Sequence, residues 1–173
     1  MIIPPIPPFE NERLKHLRSF KILDTIPELD YDSITELAST ICQTKVSLIT
    51  FIETDRQWFK SKVGIEIENA PREHSFCAHA ILQPQEISVF DNLNLDQRFK
   101  DNPYVKTGPK FNFYAGVPLV TDDNLPLGTL CVLDYEHKQL SDQKLEALKK
   151  LARQVMSLVN LRKTKIALEE NKR

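Results

Sequence analysis

The chain has 173 residues, 41% of them hydrophobic and 27% charged, enough apolar material for one globular core plus an appended element. Lys and Arg number 23 against 24 Asp and Glu, so no basic excess points to nucleic acid or an anionic lipid surface. The three cysteines, Cys42, Cys77 and Cys131, are odd in number and widely spaced, which argues against a disulfide framework and a CxxC-type zinc site.

The opening "MIIPPIPPFE" lacks the basic leader of a signal peptide, and its prolines break any apolar helix. Residues 1–10 are therefore read as an extended arm. "NERLKHLRSFKIL" predicts a short helix with Leu14 and Leu17 on one side, and Pro27 interrupts the run that follows. A stronger helix comes next. Tyr31, Ile34, Leu37, Ala38, Ile41 and Cys42 recur at helical spacing, with Asp30 or Asp32 as its cap. Cys42 falls on that stripe and is expected in the core.

"KVSLITFIE" is apolar on both alternations and predicts a strand covered on both faces. Its apolar run is far too short to cross a bilayer, so the domain is expected to be soluble and cytoplasmic, without membrane insertion. "ETDR" turns the chain and "QWFKSKVG" returns as the hairpin partner. There Trp58 and Phe59 point to opposite faces, and Lys60 and Lys62 would share the face of Trp58 and leave it partly exposed. "EISVFD" is a further short strand. Residues 91–110 show little periodicity and read as a lid or binding loop. "FNFYAGVPLV" and "LGTLCVLD" are two strands joined across "TDDNLP", and Gly116 signals a bulge or a close backbone approach.

A long helix starts near Ser141. Leu145, Leu148, Ala152, Val155 and Val159 form one stripe, and Leu151, Leu158, Leu161 and Leu168 a second. One stripe packs on the sheet; the other either faces a second subunit or widens the buried face. Residues 162–173 are the polar, projecting end of this helix. Short turns between neighbouring strands make the sheet mostly antiparallel, with helices at both chain ends, an α+β architecture.

The chemistry concentrates in "PREHSFCAHAIL". Ser75 reads as a helix N-cap, which puts Cys77 in the first turn, with Arg72 and His74 as nearby positive charge. A reactive thiol and an inert packed one are both open. His79 lies two residues on, and side chains two apart on a helix diverge, so no metal is expected at this pair. In the long loop, Arg98 either clamps a ligand carboxylate or phosphate or pins the loop through Asp91 or Asp96. Tyr114, next but one to Gly116, is a pocket wall with a hydroxyl that can reach a ligand. The candidate pocket residues are thus Trp58, Arg72, Cys77, His79, Asp91, Arg98 and Tyr114. No Gly-rich phosphate loop and no Ser-His-Asp elbow are present, which argues against kinase or hydrolase chemistry.

In this order, "NERLKHLRSFKILDT", "DRQWFKSKVG", "PREHSFCAHAIL", "DNPYV", "FYAGVPL", "LGTLCVLD" and "LKKLARQV" resemble the GAF domain. The version is that at the front of bacterial sensor histidine kinases and diguanylate cyclases, and the resemblance spans residues 11–161. It implies a GAF/PAS-like central antiparallel sheet of about six strands. Helices, including both terminal ones, would pack on one face, and a small-molecule pocket would lie on the other. It also implies a homodimer through the terminal helices, a kinase or cyclase output domain in cis or trans, and a sensory role without catalysis. The ligand is not specified. Ala78 separates Cys77 from the histidine that bilin-binding members place directly after their cysteine, so no covalent bilin is expected. The Asn-Lys-Phe-Asp-Glu signature of cyclic-nucleotide members is absent. Two alternatives stay open. One is a small redox enzyme acting on free methionine sulfoxide, with Cys77 and Cys131 brought together. The other is a dimerisation module with a side-chain-filled pocket.

Overall fold

The computed structural model describes residues 1–172. Six strands form one antiparallel sheet: β1 (Val46–Ile52), β2 (Arg56–Val63), β3 (Asn69–Pro71), β4 (Ser88–Phe90), β5 (Phe113–Val120) and β6 (Pro126–Asp134). Their order is β3-β2-β1-β6-β5-β4, so β3 and β4 are the edges and β2, β1, β6 and β5 lie inside. β1 and β6 are buried along their whole length, and β5 everywhere but its last residue. A strand buried on both faces must be apolar on both alternations, as these three sequences are. β3, with the sequence "NAP", is too short to show any alternation and was not expected from the residues.

Three helices cover one face: α1 (Glu10–Ser19), α2 (Leu29–Cys42) and α5 (Asp142–Asn171). Ser141 caps α5 by accepting from the Lys144 N–H at 3.2 Å. α2 starts after Glu28 without a side-chain cap. Asp30 and Asp32 lie inside its first turn, where they favour the positive helix end but do not cap it. The first stripe of α5 packs on the sheet through Leu148, Ala152, Val155 and Val159. On the second stripe Leu151 and Leu158 are half-buried, while Leu161 and Leu168 are 63% and 59% exposed. Beyond the sheet, α5 stays tied to the exit of α1: Arg162 donates to the Lys21 carbonyl at 2.8 Å, and Lys21 pairs with Glu170 at 3.2 Å. Among the described residues no helix is long and apolar enough to cross a membrane.

The opposite face carries α3 (Phe76–Ala80) and the segment after β4. That segment, expected as an irregular loop, folds into a 3-10 turn at Leu93–Leu95 and a short helix, α4 (Pro103–Lys106). Its packing comes from Leu93, Phe99, Val105 and Phe111, whose spacing matches no single period.

The two layers are joined at one corner by buried charge. Glu10, in the first turn of α1, accepts from Arg13 at 2.8 Å and 3.1 Å and from Arg72 at 2.6 Å and 3.0 Å. Arg72 also donates to the Glu53 carbonyl at 2.9 Å, and Arg13 has no exposed surface. Burial raises the Glu10 carboxyl, but hydrogen bonds and charge from Arg72 and Arg13 outweigh it and lower the pKa from 4.5 to about 2. A depressed carboxylate stabilises the fold above its unfolded value and loses that contribution as pH falls toward the folded value. Removing one partner of a buried ion pair costs about 3–5 kcal/mol. Glu10→Gln is therefore predicted to lower the unfolding free energy by about 3 kcal/mol at neutral pH. It should also flatten the acid limb between pH 4.5 and about 2, as read by urea denaturation across pH.

Candidate functional site

Strand register sets the site. Across the three central strands Leu48, Cys131 and Gly116 form one row, and Thr50, Thr129 and Pro118 the next. Thr50, Thr129, Cys131 and Tyr114 all project to the α3 side, where Thr50 and Thr129 bring their hydroxyls to 3.2 Å. Gly116 makes this possible. A Cβ there would collide with the Tyr114 phenol, so only glycine lets the ring lie across its own strand toward Thr129. The close approach signalled by the sequence is thus a side chain of the same strand.

α3 delivers the thiol. Ser75 accepts from the Ala78 N–H at 3.0 Å and donates to Gln57 Oε1 at 2.8 Å, which caps the helix and fastens it to β2. Cys77, in the first turn, then faces the sheet. Its Sγ accepts from Thr129 Oγ1 at 3.0 Å and Tyr114 OH at 3.3 Å, and it lies 3.9 Å from Cys131 Sγ. All four residues are buried. Burial alone raises a thiol pKa. Here hydrogen bonds from Cys131, Thr129, Thr50 and Tyr114 outweigh it and bring Cys77 down to about 6. Cys131 moves the opposite way, raised by burial and by Cys77, and Tyr114 is raised for the same reasons. The result is one acidic thiol ringed by groups that keep their protons.

Beside this cluster is a cavity of about 50 Å³. Leu48, Phe59, Phe76 and Phe111 line it with Cys77, Cys131 and Tyr114, and the lining includes the exposed residues Ile67 and Pro109. Ligand pockets usually measure about 300–1,000 Å³, so this one admits only a few small molecules the size of water.

Of the seven sequence candidates, Cys77 and Tyr114 meet here, and the other five lie elsewhere. Trp58 belongs to the helix face, its ring 6.4 Å from Phe51. The expected partial exposure of that face does not hold, because a bulge intervenes. Thr50 pairs with Phe59 but Ile49 with Ser61, leaving Lys60 as the extra residue. Lys60 and Ser61 then both serve the helix side. Lys60 is buried against Glu28 and Tyr31, and Ser61 bonds Asp32 and Thr35. Lys62 is left on the other side, with Glu68. Arg72 is spent on Glu10 and lends no charge to Cys77. His79 turns away from Cys77 to meet the Ile2 carbonyl at 3.1 Å and the edge of Phe99. Burial lowers its pKa. Asp91 is exposed at the end of β4. Arg98 forks onto Asp96 at 2.7 Å and 3.0 Å and stacks on Phe90 and Phe99, which pins the segment. Thr129 was missed. Its signal was the i, i+2 spacing from Cys131 on one strand face.

The model of the GAF domain family matches residues 28–159. The chain belongs to the GAF domain family. It is 38% identical, over 161 residues and 92% of its length, to a cyclic di-GMP phosphodiesterase of Pseudomonas aeruginosa, and it spans 27% of that protein. Its fold is similar to the GAF domain of an Acinetobacter phosphoenolpyruvate-protein phosphotransferase. The TM-score is 0.61 at 17% identity, over 87% of this chain and 94% of that one. It is also similar to the type II free methionine-R-sulfoxide reductase of Thermoplasma acidophilum, with a TM-score of 0.55 at 14% identity, over 75% of this chain and 94% of that one. At these identities the two structures establish the fold alone.

Within this GAF domain the two faces hold thiols of opposite character. Cys42, on the helix face, is pushed up to about 11 by burial. Site-resolved alkylation across pH is expected to show Cys77 turning reactive near pH 6 and Cys42 only in strong alkali. Tyr114→Phe deletes a donor to the thiolate, so it should move the Cys77 midpoint upward and leave Cys42 unchanged.

Proposed function

We propose that this GAF domain is a non-catalytic regulatory module of bacterial signal transduction. A small molecule or a redox change acts on the α3 face, and the terminal helices of a dimer carry the response to an output domain in cis or trans. One observation carries this reading. α3 packs on β1, β5 and β6, and α2 and α5 pack on the same strands from the other side. Alternation along β5 sends Tyr114 to one layer and Phe113 and Ala115 to the other. A close-packed interior transmits such displacements because it has little free volume to absorb them.

Two further observations support it. The exposed Leu161 and Leu168 suit a contact between the α5 helices of two subunits. The relative with 38% identity is a cyclic di-GMP phosphodiesterase, which favours a kinase, cyclase or phosphodiesterase as the output. An effector shifts the domain only if it binds two arrangements differently. With about 50 Å³ available, an effector larger than a few atoms requires α3, α4 and residues 107–111 to yield. The same small volume favours a second reading, a dimerisation module whose pocket is filled by side chains.

The test is the distance between spin labels at Lys165→Cys on the two α5 helices. Ala70, buried in the cavity wall, is enlarged by Ala70→Leu to fill the space. The regulatory reading predicts a dimer whose label distance changes on filling. A dimer with an unchanged distance supports the dimerisation module, and a monomer overturns both.

A further inference from the structure

The thiols of Cys77 and Cys131 share features that neither packing nor ligand binding explains. They come from residues 54 positions apart, one on a five-residue helix and one on the innermost part of the sheet, and meet at 3.9 Å. Both line an apolar cavity together with the Tyr114 phenol, and two hydroxyl-bearing side chains, Thr129 and Tyr114, converge on one of the two sulfurs. Two inert core cysteines need no such donors. Donors aimed at a single sulfur stabilise it as thiolate, the nucleophilic form. The third cysteine, Cys42, lies across the sheet in the helix-face core, where burial raises its thiol.

We propose that Cys77 and Cys131 form a peroxide-responsive dithiol, with Cys77 the attacking sulfur and Cys131 the resolving one. This rests on reading the α3 face as the sensing face. In the first step the Cys77 sulfur attacks one oxygen of hydrogen peroxide. The O–O bond breaks, an S–O bond forms, and the departing hydroxide takes up the thiol proton and leaves as water. Cys77 is then a sulfenic acid. In the second step the Cys131 sulfur attacks Cys77, the S–O bond breaks, and the S–S bond forms. The hydroxide released takes the Cys131 proton and leaves as a second water. Two thiols are oxidised to one disulfide and one peroxide is reduced to two waters.

The geometry selects this oxidant. A water-sized guest needs about 10–15 Å³, so two linked oxygens fit a cavity of about 50 Å³. An amino-acid sulfoxide does not. The walls reach the surface at Ile67 and Pro109, which gives a small, neutral oxidant a path. To reach bonding distance the sulfurs close by roughly 2 Å, which draws α3 toward β6.

The experiment is peroxide treatment of the folded full chain, followed by denaturation, alkylation and mass mapping. The expected result is loss of two hydrogens, a peptide linking Cys77 to Cys131, and a free Cys42. Cys131→Ser should instead trap a dimedone-reactive sulfenic acid at Cys77, and Cys77→Ser should leave Cys131 reduced. Circular dichroism of each variant shows whether it is folded. The proposal is overturned if folded protein keeps both thiols, if Cys42 oxidises first, or if free methionine sulfoxide closes the disulfide and peroxide does not. The regulatory reading stands or falls separately. A disulfide that forms without changing the α5 label distance upholds the dithiol chemistry and removes that reading. A distance that responds to Ala70→Leu in a chain whose thiols resist peroxide does the reverse.

Discussion

The organisation of this domain depends on a sheet in which three of the four inner strands, β1, β6 and β5, are buried on both faces. Each must satisfy two cores at once, so its side chains alternate between layers that meet directly at the Glu10–Arg72 corner. β6 shows the consequence. Leu130 and Val132 serve α2 and α5, while Thr129, Cys131 and Leu133 serve α3 and the cavity. No strand can shift to suit one layer without moving side chains of the other. A one-residue slip would exchange the two sets entirely and put the thiol cluster among the helices.

Within that frame, the polar groups at the centre of the α3 face are paired. The hydroxyls of Thr50, Thr129 and Tyr114 and the two thiols satisfy one another on an otherwise apolar face, so their burial carries no unmet hydrogen bond. The corner made by Glu10, Arg13 and Arg72 pairs full charges, with Arg72 Nε alone in it left buried without a partner among the described residues. It differs in purpose. The corner locks α1 to the turn after β3 through bidentate contacts, whereas the thiol cluster is held by single hydrogen bonds beside open volume. Rigidity is placed at the edge and freedom at the centre of the α3 face.

Much of the fold was legible because its signals are local. The helical stripes of α2 and α5, the two-sided strands and the Ser75 cap all follow from periods of a few residues. Arg98 with Asp96, two positions apart, was open to the same reading. The remainder depends on distant pairings. Arg72 looked available to Cys77 because its true partner, Glu10, lies 62 positions away. The face of Trp58 looked partly exposed, but Lys60 is covered by Glu28 and the bulge at Lys60 sends Lys62 to the other side, and nothing in "QWFKSKVG" marks either. The site itself fell between these cases. Cys77, Tyr114 and Gly116 each carried a recognisable sign, but Thr129 joins them only through the register of β1, β6 and β5.

The central claim is that the sheet couples the α3 face to the terminal helices. Amide hydrogen exchange on the full chain, compared between the dithiol form and the form with Cys77 and Cys131 joined, tests it most directly. The account predicts changed protection in α3 and residues 91–111, and also across the sheet in α5 between Leu148 and Val159. Changes confined to the α3 face, with α5 identical in both forms, would contradict it.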